Sequence, residues 1–410
     1  MNLFFRNLFS ESECKKVILD IRFGERVLCP KCNYHKIYEL KHKDHFFKCT
    51  KCLSIFNEKT ETLFENSRIP LEKWFCVFYL LCFNKKVSSV RVSKILKITQ
   101  SSAWHILEKI KTSKDRRLIN EIKKYIKNRE SKRVKPVVQW SGSKRAILQE
   151  LLCRLPRDFN NYFEPFLGGG SLFLALYDKI LTKENNIYIS DINKELIICY
   201  EIIQEELEAL VDSLRIHNDK CNMEYYYFMR DEYLAKNKLN IASRFLFLNK
   251  SCFNGLYKTD KNGKFIGSFG YKDKFAILDK NNLELCHNVL HRPEIHISNS
   301  SYEEIEPLVK EGDFVYFDPP YFHYHSKEDV DYVGGKKFNQ EEEHIKLRDS
   351  VLRIHEKGAY IMFSNSNTEF ICDLFDHKDF NIDIIKVKRN ISHVGRNRGL
   401  EEEIIVRNYK

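Results

Sequence analysis

The sequence contains no apolar segment long enough to cross a membrane. A membrane-spanning helix needs about 20 consecutive apolar residues, whereas the most apolar stretch, Trp74–Phe83, is far shorter. The first residues, Met1–Arg6, lack the basic segment and long apolar core of a signal peptide. The 13 cysteines are odd in number and mostly scattered, which argues against a disulfide framework. These absences predict a soluble protein of the reducing cytoplasm.

Two widespread nucleotide-binding motifs are also absent. The sequence has neither a GxGxxG dinucleotide fingerprint nor a Walker-type Gly-Lys followed by serine or threonine. Any nucleotide-like ligand must therefore be held by a different arrangement of residues.

Acidic residues are scarce in the first third of the chain. Residues 1–135 carry 31 Lys and Arg against 14 Asp and Glu, a net charge of +17, whereas the remainder carries 37 against 43. This asymmetry predicts a polyanionic partner, most simply nucleic acid. A generic lysine-rich surface is the alternative. The length of 410 residues fits two or three domains.

Four of the cysteines form a pattern typical of a metal site. Cys29 and Cys32 make one CxxC pair and Cys49 and Cys52 a second, with 16 residues between the pairs. Two such turns bring four thiolates to the corners of a tetrahedron, the geometry of structural zinc. Because four thiolates leave no open coordination position, we predict one structural Zn²⁺ per chain, in a zinc ribbon over residues 1–66.

Three helices are predicted after the ribbon. They cover Pro70–Cys82, Ser88–Leu96 and Gln100–Lys111, and Thr99 is a suitable N-cap for the third. The short turn between the second and third helices is typical of a helix-turn-helix.

In a helix-turn-helix the third of these helices would enter a DNA groove. Gln100, Ser101 and His105 would then face the bases. A helical hairpin with no DNA-binding role explains the spacing equally well. We assign residues 67–112 to this helical domain and residues 113–136, which are rich in Lys and Arg, to a basic linker that is either a helix or an extended connection.

Residues 8–112 resemble the zinc ribbon and helical segment at the N-terminus of certain insertion-sequence transposases. The resemblance lies in the two CxxC pairs, in Ser67–Trp74 and in Thr99–Trp104. It implies that this region recognises DNA. Nothing downstream resembles the catalytic domain of those transposases, which carries three acidic residues.

The second part of the chain alternates strands and helices. A strand ending at Glu164 leads into Gly168–Gly170, a helix follows, and a second strand ends at Asp191. This order is typical of a Rossmann-like nucleotide-binding unit. There, glycines such as Gly168 and Gly170 let the backbone approach the ligand, and the acid accepts hydrogen bonds from ribose hydroxyls. A glycine triplet by itself is as often an ordinary loop.

A further strand, Asp313–Phe317, ends in Asp318-Pro319-Pro320-Tyr321. Proline locks φ and lacks an N–H, so the strand must stop and turn there. Open α/β sheets bind their ligands at this carboxyl edge. A carboxylate, a rigid carbonyl and an aromatic ring at such an edge suit a flat base held by its exocyclic amine. A plain strand ending is the alternative.

From Val137 to Tyr409 the chain resembles the Dam-type adenine-N6 DNA methyltransferases, which use S-adenosylmethionine. The resemblance implies an α/β fold, with a Rossmann-like methyltransferase domain over residues 137–410 that includes a helical and hairpin target-recognition subdomain at about 200–310. The motifs that carry it, in order, are Trp140 and Lys144, Glu164–Gly170, Asp191, Asn249–Tyr257, Ser268–Gly270, Asp318–Tyr321, Phe363–Asn367 and Gly395–Tyr409.

By this resemblance, contacts to S-adenosylmethionine fall on Trp140, Lys144, Asp191 and Asp318. The chemistry of the side chains agrees. Asp191 suits the ribose, Lys144 suits the methionine carboxylate or the phosphate side of the cleft, and Trp140 offers an apolar wall.

The adenine amine is a poor nucleophile, because its lone pair is conjugated into the ring. Asp318 and the carbonyl of Pro319 would accept its two hydrogens and leave the lone pair available for attack on the methyl group. Tyr321 would stack on the base, which must first leave the duplex. Catalysis of this kind rests on positioning and electrostatics, with no covalent enzyme intermediate.

Target recognition is expected from Asn254, from Lys258 and from a basic hairpin that turns at Asp260–Gly263. Other cations of this region, among them Arg244 and Lys250, add to its positive charge. The family carries arginine where this chain has Lys258, so a GATC target is not implied. Ser143 also departs from the family, which usually has glycine there.

We therefore predict a site-specific adenine methyltransferase that acts on double-stranded DNA. It would serve a restriction-modification system, with a cognate endonuclease as a possible partner, or a mobile element. A zinc-dependent DNA-binding protein with an inactive or regulatory methyltransferase domain is the alternative, and cytosine-N4 transfer is a third.

Overall fold

The computed structural model describes residues 3–24, 26–40, 46–84, 87–140, 142–180, 185–255, 257–260, 263–271, 275–322, 341–388 and 400–409. Internal contacts cluster into two compact units, Met1–Arg133 and Val134–Lys410. The domain boundaries drawn from the sequence, at residues 66, 112 and 136, remain predictions. Within the described ranges, no helix is both long and apolar enough to span a bilayer.

The described part of the N-terminal unit combines helices with a small antiparallel sheet in the order β1-β2-β3. Its elements are α1 (Leu3–Arg6), α2 (Glu11–Phe23), β1 (Ile37–Glu39), β2 (Phe47–Cys49), β3 (Ile55–Phe56), α3 (Leu71–Phe83), α4 (Ser89–Leu96), α5 (Gln100–Thr112) and α6 (Arg116–Ser131).

Local capping explains where these helices begin. Ser10 and Glu13 form a capping box at α2, and the Thr99 side chain accepts the Ser102 N–H at the start of α5. The three predicted helices are confirmed as α3, α4 and α5. Pro70 differs slightly from the prediction, because it is the N-cap of α3 and not its first helical residue.

The segment expected to be a basic helix or linker contains the helix α6. This helix begins at Asp115, whose carboxylate accepts the Leu118 N–H, and it packs against α2 and α3. Its apolar face recurs every three or four residues and is buried, as in any amphipathic helix on a core. The members of that face are Leu118, Ile119, Ile122 and Ile126. The high charge belongs to the opposite face.

The C-terminal unit is built on one seven-stranded sheet. Its strands are β4 (Tyr162–Glu164), β5 (Ile187–Ser190), β6 (Ile295–Ser298), β7 (Phe314–Phe317), β8 (Tyr360–Ser366), β9 (Asn381–Lys388) and β10 (Leu400–Arg407). Its α-helices are α7 (Leu148–Cys153), α8 (Ser171–Ile180), α9 (Lys194–Glu205), α10 (Leu207–Lys220), α11 (Met223–Asp231), α12 (Lys238–Ser251), α13 (Lys280–Leu290), α14 (Glu341–Glu356) and α15 (Glu369–Leu374). Short 3-10 helices cover Lys144–Ala146, Phe253–Gly255 and Tyr302–Ile305.

The strand order is β6-β5-β4-β7-β8-β10-β9. The first five strands of that order pair in parallel, and β10 pairs antiparallel with both β8 and β9. The predicted α/β class is confirmed. Both β4 and β7 are fully buried, and β7 is a continuous apolar run, as expected for parallel strands covered on both faces.

This order has a switch point between β4 and β7. From β4 the chain moves outward to β5 and β6, then returns to place β7 on the other side of β4. Connections therefore leave the carboxyl ends of β4 and β7 in opposite directions, which opens a crevice between them. The loop after β4 contains the glycine turn, Gly168–Gly170, and the loop after β7 contains Asp318–Tyr321.

Candidate active site and zinc centre

The loop after β4 is shaped by Gly168. Its φ is +48°, in the left-handed region that favours glycine. A Cβ placed there would lie 2.6 Å from Cδ1 of Trp140, so the indole occupies the space that a side chain at 168 would need. Because residue 168 has no side chain, the Trp140 indole can pack directly against the loop after β4.

Trp140 is fixed from two further sides. The Asn249 side chain, fully buried, donates to the Gln139 carbonyl and accepts from the Gln139 N–H, both at 2.8 Å. The Tyr257 ring stacks on the indole at 5.7 Å between centroids. Asn249 and Tyr257 were quoted from the sequence only as parts of a motif, and their contacts show that they position Trp140.

The carboxylate of Asp191, at the end of β5, is held by two backbone donors. The Gly168 N–H reaches Oδ2 and the Asn193 N–H reaches Oδ1, each at 2.9 Å. Burial raises the pKa of Asp191 to about 6, although both hydrogen bonds act in the opposite direction. Asp191 therefore joins the glycine loop to the end of the neighbouring strand.

The turn after β7 places an ion pair at the crevice. The Lys144 Nζ lies 2.6 Å from Oδ1 of Asp318, with only 5% of the lysine side chain and 17% of the aspartate side chain exposed. The same ammonium lies 4.5 Å from the centre of the Tyr321 ring. The structure thus brings together three residues that the sequence assigned to one site. Lys144 pairs with Asp318 here, whereas the sequence assigned it to the methionine carboxylate.

The backbone that follows Tyr321 is hydrogen-bonded to β8. The Phe322 N–H donates to Oδ1 of Asn365 at 3.1 Å, and the Ser366 hydroxyl donates to the Phe322 carbonyl at 2.6 Å. Asn365 and Ser366 belong to the Phe363–Asn367 motif. The motif thus holds the backbone that follows Tyr321.

A second buried acid, Glu164, lies at the end of β4. Its Oε2 accepts from the Tyr162 hydroxyl at 2.7 Å and from the Phe173 N–H at 3.1 Å. Burial, with a contribution from the charge of Asp318, raises the pKa of Glu164 to about 8. The acid is mainly protonated at neutral pH, so it adds little negative charge to the crevice. The sequence showed Glu164 only as part of a motif.

The predicted hairpin is present in the part of the chain that is described. Thr259 and Phe265 form an antiparallel bridge, and the Lys264 N–H donates to the Asp260 side chain. Lys258 is partly buried, and its carbonyl accepts from the Ile266 N–H. Two proposed positions, the Asn254 side chain and residues 261–262 of the turn, lie outside the described residues.

Several cations that the sequence offered for DNA contact serve the fold instead. Arg244 donates to the carbonyls of Met229 and Arg230, and the Lys250 ammonium donates to the Ile277 carbonyl. Burial lowers the pKa of Lys250. These groups hold the helical subdomain together. Sequence composition alone does not distinguish such structural cations from cations on the surface.

The zinc-ligand prediction places four thiols in one cluster. The ligand sulfurs of Cys29, Cys32, Cys49 and Cys52 all lie within 4.8 Å of one another. Tetrahedral zinc with Zn–S bonds of about 2.3 Å needs sulfurs roughly 3.8 Å apart, and the Cys29–Cys52 and Cys32–Cys49 separations are 3.5 and 3.6 Å. The Lys51 N–H also points to the Cys49 sulfur, at 3.4 Å. The four thiols fit structural zinc.

The α5 residues predicted to contact DNA share one exposed face. Gln100, Ser101 and His105 are exposed, whereas Ala103 and Ile106 are buried. Trp104, which the sequence analysis gave no role, lies on the same side and is 58% exposed. The helical spacing of the buried positions predicts that Trp104 lies on the exposed face, so this spacing could have identified Trp104.

Residues 140–391 match the family described as D12 class N6 adenine-specific DNA methyltransferase. This chain belongs to that family. The match covers more than half of the 410 residues and includes every strand of the switch-point crevice. The predicted resemblance, activity and fold are confirmed, and the chain is an adenine-specific DNA methyltransferase that depends on S-adenosylmethionine. Residues 9–54 match the transposase zinc-ribbon domain, which confirms the ribbon and its structural zinc.

Curated relatives support this D12-class assignment. The type II methyltransferase M1.LlaDCHI of Lactococcus lactis subsp. cremoris is 32% identical over 67% of this chain and 96% of its own length. The type II methyltransferase M.MjaIII of Methanocaldococcus jannaschii is 32% identical over 67% of this chain and 99% of its own. The DNA N-6-adenine-methyltransferase of Escherichia phage P1 is 28% identical over 66% of this chain and 35% of its own. About a third of this D12-class chain thus has no counterpart in the first two.

The crevice of this D12-class methyltransferase fits its cofactor. A glycine turn in the left-handed region, an acid at the end of the adjacent strand and a carboxylate after β7 meet at the switch point. Asn193, two residues beyond Asp191, has a buried side-chain amide nitrogen with no hydrogen-bond partner among the described residues. Such a donor next to Asp191 suits a hydroxyl-rich ligand.

Proposed function

We propose that this enzyme methylates adenine N6 at specific DNA sites through Asp318, Pro319 and Tyr321, while its N-terminal unit supplies an additional DNA contact. The observation that carries the catalytic assignment is the cluster of Lys144, Asp318 and Tyr321 at the switch point between β4 and β7. Trp140, Lys144, Gly168, Gly170, Asp191 and Asp318 are the proposed cofactor-binding residues. The bound cofactor supplies an electrophilic methyl group on a sulfonium.

The proposed chemistry depends on where hydrogen-bond acceptors lie around the adenine amine. Asp318 and the Pro319 carbonyl accept its two hydrogens, which withdraws the lone pair from conjugation with the ring. Tyr321 stacks on the flipped base and fixes its plane. Lys144 balances the charge of Asp318 in a site that is largely shielded from water, where an isolated carboxylate would be costly.

The direct test is methyl transfer to DNA. Purified full-length protein with tritium-labelled S-adenosylmethionine is expected to label duplex DNA, and nucleoside analysis is expected to show N6-methyladenine. Sequencing that reports modified bases would then give the target site. An absence of label in every DNA tested would overturn the proposal.

Cofactor affinity is expected to fall as the pH drops below about 6. The pKa of Asp191 is raised to about 6, so the ionised carboxylate that accepts the ribose hydroxyls is lost below that pH. The stability of the unliganded protein changes in the opposite sense. Because its folded pKa lies above the ordinary value of 3.8, ionised Asp191 costs stability, and this cost disappears between pH 6 and 4.

Calorimetric titration with S-adenosylmethionine from pH 5 to 8 measures the effect. The control is Asp191→Asn, which has the same shape and does not titrate. Its affinity is expected to be lower at pH 8 and to change little with pH. An equally steep decline in the variant would show that another group is responsible.

DNA affinity is expected to fall about tenfold on replacing Gln100 or His105 by alanine, since base contacts in a groove contribute about 1–3 kcal/mol each. The affinity for S-adenosylmethionine should not change. Thr112→Ala, at the far end of α5, is the matched control. Anisotropy of a labelled duplex measures binding, and unchanged affinity in both variants would remove α5 from the DNA interface.

Tryptophan fluorescence provides a second measurement on the same surface. Trp74 is fully buried, whereas Trp104 is 58% exposed on α5. If α5 contacts DNA, duplex addition quenches emission, and Trp104→Phe removes most of that quenching.

A cognate restriction endonuclease is the proposed functional partner, because two relatives are named type II methyltransferases. DNA modified by this enzyme is then expected to resist an endonuclease that cuts at the mapped site. Full cleavage of completely modified DNA would exclude the pairing.

The proposed location is the cytoplasm. All 13 cysteines are free thiols, four of them in the zinc cluster, and such a cluster needs a reducing environment. Cell fractionation with an antibody to the full chain tests this.

A further inference from the structure

Tyr321 is held at its far end by a residue from the last strand. Its hydroxyl donates to Oε2 of Glu403 at 2.8 Å, although the two residues are 82 positions apart in the sequence. Glu403 lies on β10 opposite Ser366 of β8, the strand that also fastens the turn after Tyr321. Tyr321 is therefore held by two neighbouring strands, by β10 through its hydroxyl and by β8 through the backbone that follows it.

The location of Glu403 is unusual for a carboxylate. It is 6% exposed and starts a buried run, whereas Glu401 and Glu402 just before it are exposed. Burying a carboxylate costs free energy unless it accepts hydrogen bonds. An apolar side chain on this strand would stabilise the sheet better. The Tyr321 hydroxyl supplies such a hydrogen bond to Glu403, which gives this residue a role in directing Tyr321.

Tyr321 is held at its backbone, at its hydroxyl and on one face of its ring. Pro320 restricts the backbone before it, and Asn365 and Ser366 hold Phe322 after it. Lys144 lies over one face of the ring at 4.5 Å. The hydroxyl contact fixes the remaining rotation of the side chain. Groups that bind a reacting base need this degree of support, because small errors in position cost much of the rate.

We propose that Glu403 is a positioning residue for methyl transfer, which holds the Tyr321 ring in the orientation against which the flipped adenine stacks. The inference rests on the proposed role of Tyr321. It adds a residue from the far end of the chain that makes no contact with the base itself.

Two substitutions at 403 distinguish positioning from a general role in folding. Glu403→Leu removes the acceptor and fits an apolar strand. We expect kcat for transfer to fall about 10- to 100-fold, with a much smaller change in the KM for DNA. Glu403→Gln keeps an acceptor oxygen at the same place and is expected to stay within about fivefold of wild type. The matched control is Glu402→Gln, since Glu402 is exposed and contacts Asn367 and Lys386 instead.

A double-mutant comparison with Tyr321→Phe isolates the contact. That variant keeps the ring but loses the hydroxyl, so it should resemble Glu403→Leu. The double variant should be no worse than either single one, because both remove the same hydrogen bond. Fully additive losses would show that Glu403 acts elsewhere and would overturn the proposal.

Fluorescence supplies a measurement that a loss of stability would not change. A duplex with 2-aminopurine at the target adenine brightens when the base is flipped, and stacking on an aromatic ring then quenches it. In Glu403→Leu we expect brighter emission than in wild type, because the ring no longer holds a fixed plane. Wild-type emission together with wild-type kcat in Glu403→Leu would reject the positioning role. If wild-type protein transfers no methyl group at all, the proposed function fails instead, so the two failures are distinct.

Discussion

Asp318→Asn is expected to lower the rate of methyl transfer by at least about a thousandfold, within the range for losing a positioned acceptor or proton-transfer group. Asparagine has the same shape but no charge. One of its two terminal groups is an NH₂, which donates hydrogen bonds and cannot accept one from the adenine amine. Single-turnover transfer from labelled cofactor to DNA measures the loss directly, without product release.

Stability must be measured alongside activity. Lys144 is 5% exposed and pairs with Asp318, so the substitution leaves a buried ammonium without its partner, which costs several kcal/mol in comparable cases. Circular dichroism melting and cofactor titration show whether the loss of activity precedes unfolding. Glu306→Gln is the matched control, since it breaks an ion pair with Arg353 away from the crevice and should leave transfer unchanged. A folded Asp318→Asn protein with normal transfer would contradict the assignment of Asp318.

Removal of zinc is expected to unfold the ribbon. The buried core of the ribbon is small and consists of Cys29, Phe47, Cys49 and Phe56. Two of these, Cys29 and Cys49, are zinc ligands. Structural zinc sites of this type contribute about 10–16 kcal/mol of apparent binding free energy at neutral pH. This exceeds the net stability of most small domains, which is about 5–15 kcal/mol. A core of this size cannot replace that contribution.

Metal analysis of protein purified under reducing conditions should give one zinc per chain, and Cys49→Ser should give much less. We expect the variant to lose most DNA affinity that depends on the N-terminal unit and to keep its affinity for S-adenosylmethionine. The control is Cys221→Ser, a partly buried thiol outside the cluster. A metal-free protein with unchanged DNA binding would show that the ribbon needs no zinc.

Sequence reasoning was most successful where chemistry depends on a short motif. The CxxC pairs predicted the four-thiol cluster, because spacing of this kind leaves few other arrangements. The prolines correctly predicted that the strand stops before Asp318, because proline removes a donor that a continuing strand needs. The capping residue Thr99 located the start of α5 for the same kind of local reason.

It was less successful where a residue's role depends on distant partners. The charge of segment 113–136 predicted a basic helix or linker, but it did not predict the apolar face that α6 buries. Arg244 and Lys250 were predicted to belong to the positive charge of the target-recognition region, but both bind backbone carbonyls within the helical subdomain. Charge along a chain does not show which side of an element faces the core.

The sequence by itself determined the class of chemistry, since the glycine turn, the acid at 191 and the Asp318–Tyr321 turn are local patterns with a fixed order. Only the tertiary structure decided how these groups meet. The return of the chain from β6 to β7 puts two distant loops side by side, and Lys144 reaches Asp318 across the crevice. The same packing brings Glu403 under Tyr321 from the far end of the chain. Sheet order depends on the sum of many side-chain contacts, so no single stretch of sequence encodes these pairs.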